Sequence, residues 1–327
     1  MIYVGTVGEG VFRSSDGGAT FSRGYEGMFL EADVRALAVS PSNSNRLYAG
    51  TNMGLYRSED GGDNWSRLNT PFDPGEGWMG GVAVWSLLVL RGEPERILVG
   101  VCPSALYLSE DAGETWIRAE THLSPECVAI RYPRVTCIAA DPADSLSLWA
   151  GVEIDGVHRS VDGGKTWSRI GEGLSSLDIH SLVVLPRNGE NGAKTLLAST
   201  NNDLNLSSDG GATWVPQNVK ESFPWRYCRG LWQKHNDPNT LFLGNGDGPP
   251  GTQGAIQVSR DGGLSWKRAT LPIEPNSTIW AFSASEAESE TVCAYSVSGQ
   301  LLLTRDAGNS WIKLRREFGE IRSILLT

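Results

Sequence analysis

Between Val34 and Leu68 the chain falls into four short apolar runs. They are Val34-Arg35-Ala36-Leu37-Ala38-Val39, Arg46-Leu47-Tyr48-Ala49-Gly50-Thr51, Gly54-Leu55-Tyr56-Arg57-Ser58 and Asn64-Trp65-Ser66-Arg67-Leu68. Rich in β-branched, leucine and aromatic residues and cut by Ser-Pro, Gly and Asp-Gly-Gly, they predict four strands of one small antiparallel sheet. Such a sheet has two apolar faces and can bury neither alone, so it must stack against others. The same grammar returns around each of seven copies of Ser/Thr-x-Asp-x-Gly-x-x-Trp/Phe, which begin at Ser14, Ser58, Ser109, Ser160, Ser207, Ser259 and Thr304 and end at Phe21, Trp65, Trp116, Trp167, Trp214, Trp266 and Trp311. Their aspartates (Asp16, Asp60, Asp111, Asp162, Asp209, Asp261, Asp306) are separated by 44, 51, 51, 47, 52 and 45 residues, the period of a repeat array whose unit is a four-stranded sheet.

The ends of the chain fit a closed ring. Residues 320–327 read as an innermost strand, whereas Ile2-Tyr3-Val4-Gly5-Thr6 reads as a second strand followed at once by a third, Val11-Phe12-Arg13-Ser14. The last strand then completes the first blade and leaves no open sheet edge. The expected fold is therefore all-β: a closed seven-bladed β-propeller of four-stranded antiparallel blades, with residues 1–327 as one propeller domain. The repeated acid turns, at 14–21, 58–65, 109–116, 160–167, 207–214, 259–266 and 304–311, read as scaffold. Asp and Ser side chains bond turn backbone, glycines take positive φ, and the aromatic packs between strands.

On this motif the whole chain resembles the Asp-box (BNR-repeat) β-propeller superfamily, which includes sialidases, sortilin-type sorting receptors, xyloglucan-degrading glucanases and photosystem II assembly factors. The resemblance implies the fold and leaves the chemistry open, since those relatives share little of it. A sialidase would imply six blades and an Arg-Ile-Pro segment; this chain has seven copies, and its nearest string is Arg131-Tyr132-Pro133. Sialidase catalytic residues are therefore not carried over. Xyloglucanases resemble two such propellers in tandem, and this chain supplies one.

Net charge is -10 and the pI is about 5.0, which argues against nucleic acid, since phosphate binding needs a basic face. No stretch approaches the roughly 18 apolar residues of a membrane span, and no basic-then-apolar leader opens the sequence; the expectation is a cytoplasmic protein that meets no membrane. Five cysteines at irregular spacings (Cys102, Cys127, Cys137, Cys228, Cys293) read as reduced thiols rather than a disulfide framework. His122, His158, His180 and His235 stand in four separate contexts, so neither a metal nor a cofactor is called for.

Function is expected at the channel mouth opposite the Asp turns. Aligned at the start of the innermost strand, the blades present Arg35, Trp85, Thr136, His180, Arg229, Trp280 and Arg322. Guanidinium groups pair with carboxylates or phosphates, and tryptophan faces take sugar rings, cations or flat ligands. At the end of the second strand Glu153 replaces the Asn or Cys of sister blades (Asn52, Cys102, Asn201) and could form an acid/base pair with His180. Blade six adds Trp225, Tyr227 and Arg229 on one loop, and Asn245 and Asp247 in a Gly-Pro-rich run on another. Long loops at 69–83 and 120–134 bring Trp78, His122, Cys127, Arg131, Tyr132 and Arg134, and a nucleophilic role for Cys102 or Cys127 lacks a dedicated histidine.

Two readings follow. In the first, Glu153, His180, Tyr227 and Asp247 move protons in a cofactor-free hydrolase or lyase. Its small anionic or sugar-like ligand is held by Arg35, Trp85, Arg134, Trp225, Arg229, Asn245, Trp280 and Arg322. In the second, the arginine-rich face docks an acidic protein segment in a binding or assembly factor. Concavity discriminates them: Trp78, Trp225 and Trp280 walling a pocket around Glu153 and His180 favours the enzyme, and a flat top favours docking.

Overall fold

A computed structural model describes residues 1–72, 81–124, 126–128, 130–189 and 192–327; Trp78 lies outside them. The described residues form seven four-stranded antiparallel sheets. The innermost strands of blades two to seven are Val34–Val39, Ala83–Leu90, Val135–Asp141, Ile179–Asn188, Tyr227–Gln233 and Ile279–Ala284, and that of blade one is the C-terminal Ile321–Leu326. Each touches the innermost strand of the blade before and the blade after, and the series closes on itself. The closing pair runs antiparallel, with Ile2 opposite Leu326 and Val4 opposite Ile324. The ring and its C-terminal closure are as the sequence predicts.

Seven hydrophobic clusters hold the blades together, one at each junction. The second strand of every blade lies between two junctions, and consecutive side chains serve opposite ones: Leu47 packs toward blade one and Tyr48 toward blade three. Buried on both faces, these strands are apolar runs without polar alternation. The aromatic of each Asp turn plugs the junction with the preceding blade, as Trp65 does between blades one and two. Phe21 does so at the seam between blades seven and one.

The turns repeat atom by atom. In blade four, Ser160 Oγ donates to Asp162 (2.8 Å) and accepts from Gly164 N (2.9 Å), and Asp162 accepts from the N–H (3.0 Å) and hydroxyl (2.6 Å) of Thr166. The equivalent Ser or Thr bridges Asp and glycine in all seven turns. Gly164 sits at φ 97°, a left-handed conformation strained for any side chain. The hydroxyl and then the N–H of Ser310 hold Asp306 down to about 2. Each carboxylate is thus committed to its own turn.

Candidate functional site at the channel mouth

The innermost strands share a distortion that hydrophobic patterning does not reveal. In every blade the pairing between first and second strand slips at the same place: between Val34 and Ala36, Val84 and Ser86, Val135 and Cys137, Ile179 and Ser181, Cys228 and Leu231, Ile279 and Ala281, and opposite Gly5/Thr6 in blade one. The residues at the slips are Arg35, Trp85, Thr136, His180, Arg229 (with Gly230), Trp280 and Arg322. A β-bulge leaves its extra residue unpaired and re-aims the side chain, and all seven of these residues line one cavity of about 440 Å³ on the ring axis.

The blades brace these bulges mutually. Carbonyls released from the ladder receive donors from the preceding blade: Val34 O from Ser323 Oγ (3.0 Å), Val135 O from Ser86 Oγ (2.8 Å), Ile179 O from Thr136 Oγ1 (2.6 Å), Arg229 O from Ser199 Oγ (2.6 Å) and Arg322 O from the Tyr295 hydroxyl (2.7 Å). A glycine usually stands opposite the bulge because the next blade presses in there. At Gly151 a Cβ would lie 2.5 Å from Ile179 and 2.6 Å from Cys137 Sγ. Thr136, whose hydroxyl is engaged in this bracing, is a structural member of the ring.

Two arginines flank each ring tryptophan. Arg35 and Arg134 lie 4.4 and 4.3 Å from the Trp85 ring centre, and Arg229 and Arg322 lie 4.0 and 5.1 Å from that of Trp280. Of the partners open to a tryptophan face, these two take cations: each indole is a spacer between guanidinium groups. The cations in turn carry carboxylates. Arg35 pairs with Asp33 (2.8 Å), Arg134 with Glu153 and Arg322 with Glu320. Arg229 makes no ion pair among the described residues; beyond Trp280 it interacts with the Tyr227 hydroxyl.

Above the ring the channel widens into a cavity of about 790 Å³ that shares His180, Arg229, Trp280 and Arg322 with the one below. Glu153, Asp178, Tyr227 and Arg134 join them there. Of the residues singled out in the sequence, the fold brings Glu153, His180, Tyr227, Arg134, Arg229, Trp280 and Arg322 to one mouth, while Arg35 and Trp85 line the cavity beneath it. His180 is almost fully buried, lies with its ring centre 5.0 Å from that of Tyr227 in a tilted contact, and places Nδ1 2.7 Å from the Cys228 carbonyl. A carbonyl can only accept, so Nδ1 carries the proton and Nε2 faces Asp178 at 3.4 Å.

The carboxylate beside His180 is therefore Asp178, and Glu153 belongs to Arg134; the expected Glu153–His180 pair is corrected. Asp178 escaped the sequence reading although a signal was present. It stands two residues before its ring position, as Asp33 and Glu320 do before Arg35 and Arg322.

The electrostatics divide these groups. Burial, opposed by Arg134, pushes Glu153 above the usual carboxylate range. Burial works the same way on Asp178, but the His180 hydrogen bond and attraction to His180, Arg229 and Arg134 outweigh it and hold Asp178 low. Burial and then Arg229 keep the imidazole below its ordinary value. The Tyr227 phenol is pushed up by burial.

Three expected site residues lie elsewhere. Trp225 and Asp247 line a neighbouring cavity of about 490 Å³. The Asp247 carboxylate ties its own loop, accepting from Thr252 N (2.8 Å), Thr252 Oγ1 (2.8 Å) and Gln253 N (3.0 Å). Asn245, fully buried, donates to the Trp225 carbonyl (2.9 Å). His122 lines a separate cavity on blades three and four. The five cysteines are free, and burial pushes the Cys102 thiol up, away from nucleophilic thiolate.

No family model matches the chain. Curated relatives similar in sequence are xyloglucanases. A probable oligoxyloglucan-reducing end-specific xyloglucanase of Neosartorya fischeri is 25% identical over 300 residues, covering 78% of this chain and 36% of that protein. A xyloglucanase from a Paenibacillus species is 25% identical over 274 residues, covering 72% and 26%. The chain thus spans about a third or less of the length of these relatives. Among solved structures, a GH74 enzyme from Niastella koreensis superposes with a TM-score of 0.53 at 17% identity over 95% of this chain and 43% of its own. YCF48 from Cyanidioschyzon merolae does so at 0.55 and 15% over 86% and 85%. These structural likenesses are of fold: the chain is a seven-bladed β-propeller.

Proposed function

We propose that the protein is a carbohydrate-active hydrolase that cleaves a glycosidic bond held in the mouth, with Glu153 as general acid and Asp178 as general base. The observation that carries this reading is the opposite drift of two carboxyls in one cavity, Glu153 upward and Asp178 downward. Divergent environments of this kind assign acid and base roles, and glycoside hydrolysis needs one of each. Glu153 delivers its proton to the leaving oxygen while Asp178 takes one from the water attacking the anomeric carbon. Arg229 and Tyr227, outside any ion pair among the described residues, bond sugar hydroxyls. The xyloglucanase names of the sequence relatives support a glycan as the ligand class, and the seven Asp turns support reading the scaffold as an Asp-box propeller.

Docking of an acidic segment has less to rest on, because Arg35 and Arg322 already carry carboxylates. The test is the release of reducing ends from xyloglucan, other β-glucans, mannans and uronate-containing polysaccharides. We expect turnover on one class and a loss of about a hundredfold or more in Glu153→Gln. No release from any polymer, or release unaffected by the substitution, defeats the reading. An unsaturated sugar in the digest would instead mark elimination.

A further inference from the structure

The cavity beside the mouth has the makings of a second sugar site. It shares Asn201 and Tyr227 with the mouth, so the two hollows adjoin at these residues. Its volume of about 490 Å³ falls within the range of roughly 300–1,000 Å³ typical of small-molecule sites.

The decisive residue is Trp225. Unlike the aromatics of the Asp turns it belongs to none of the seven junction clusters. Unlike Trp85 and Trp280 it is not closely flanked by two guanidinium groups; one, Arg268, stands 5.9 Å from its ring centre. It is half-buried, so part of the indole faces the cavity or solvent. Tryptophan is enriched at interfaces, where its indole offers a flat apolar face beside a polar N–H.

The fold holds the backbone of this residue in place. Buried Asn245 donates to the Trp225 carbonyl, and buried Gln257 donates to Asn245 Oδ1 (3.3 Å). Next to Trp225, Phe223 is anchored in the junction between blades five and six. The opposite wall, carrying Asp247, is fixed by its bonds to Thr252 and Gln253. Lys220, Arg226 and Asn201 are exposed around the rim. An apolar plate ringed by a carboxylate, an amide and cationic donors suits a ring with hydroxyls at its edge.

We infer that this cavity is a second sugar-binding subsite, built on Trp225, which takes the units of a glycan chain next to those seated in the mouth. The inference rests on the carbohydrate reading of the mouth, and it names the substrate as an oligomer or polymer rather than a single sugar. A chain running from the mouth passes Tyr227 and Asn201 and lies across Trp225.

Equilibrium binding tests this without requiring turnover. Xylogluco-, cello- and manno-oligosaccharides of one to six backbone units are titrated calorimetrically into the full chain, its Trp225→Ala and Trp225→Phe variants, and Glu153→Gln. For the accepted sugar we expect affinity to step up by about tenfold when the oligomer is long enough to reach the second cavity. The step should vanish in Trp225→Ala, survive in part in Trp225→Phe and persist in Glu153→Gln. Unchanged melting temperatures confirm that the variants are folded. A step that persists in Trp225→Ala, affinity independent of length, or no binding by any oligomer overturns the inference. Length-dependent binding with no cleavage of any polymer would sink the hydrolase while leaving the subsite standing, and cleavage without a Trp225-dependent step would do the reverse.

Discussion

The Asp turns on one face and the bulges toward the other are both sevenfold features, and they differ in what they repeat. The turns keep their side chains: a Ser or Thr, an Asp and a glycine make the same bonds each time. The bulges keep only their backbone and carry arginine, tryptophan, threonine or histidine as the blade varies. Identical side chains meet an identical need, here closing a turn. A conserved distortion bearing different side chains instead delivers a varied set of groups to one point on the axis. The difference separates scaffold from site within a single repeat.

The sharpest way to break that division is to neutralise the site. Asp178→Asn should lower kcat by about two to four orders of magnitude and leave the melting temperature nearly unchanged. The wild-type rate should be bell-shaped in pH. It falls on the acid side as Asp178, held below the usual carboxylate range, takes up a proton, and on the basic side as Glu153, held above it, gives its proton up. A profile flat across both limbs would remove these two carboxyls from the chemistry.

The scaffold should respond in the opposite sense. Ser160→Ala leaves the buried N–H of Gly164 without its acceptor, at a cost of about 1–3 kcal/mol, and thermal unfolding should shift down by several degrees with kcat unchanged. Acid should act on the same turns. Asp306 has a folded value of about 2 against an ordinary 3.8, so its contribution is complete above the ordinary value and is lost as pH falls toward 2. Denaturation profiles should steepen in that window.

The smallest effect falls within the ring of bulges. Ser199→Ala removes the hydrogen bond that braces the Arg229 bulge, worth about 1 kcal/mol. A rise in KM of a few-fold with kcat retained would mean that bracing positions the guanidinium for binding. No change in KM would show that Trp280 alone suffices.

The fold could be read from the sequence because each blade announces itself by a turn with a Ser or Thr, an Asp, a glycine and an aromatic at fixed spacing. The ring positions were also legible, since Arg35, Trp85, His180, Arg229, Trp280 and Arg322 occupy aligned places. Their aim was not. It depends on a slip in strand pairing, which is a relation between two strands and leaves no mark in the alternation of either. Pairing was hidden too: Asp178 reaches His180 from two residues before it, and Glu153 stays within blade four, at Arg134 before the innermost strand, instead of crossing to His180 on blade five. The separation of Trp225 and Asp247 from the mouth depends on loop paths that no periodicity encodes.

The closing strand pair also fixes how the ring responds to force. Met1 and Thr327 are bonded to each other at the same end of an antiparallel pair, N–H to carbonyl in both directions at 2.8 and 3.1 Å. Tension applied between these two residues would therefore load the rungs one after another, as in opening a zipper, instead of shearing them together. The seam between Ile2–Thr6 and Ile321–Leu326 would peel first and at low load, freeing the innermost strand of blade one while the other six blades are still intact. That strand carries Arg322, so mechanical opening would dismantle the Arg229–Trp280–Arg322 stack before any other part of the mouth.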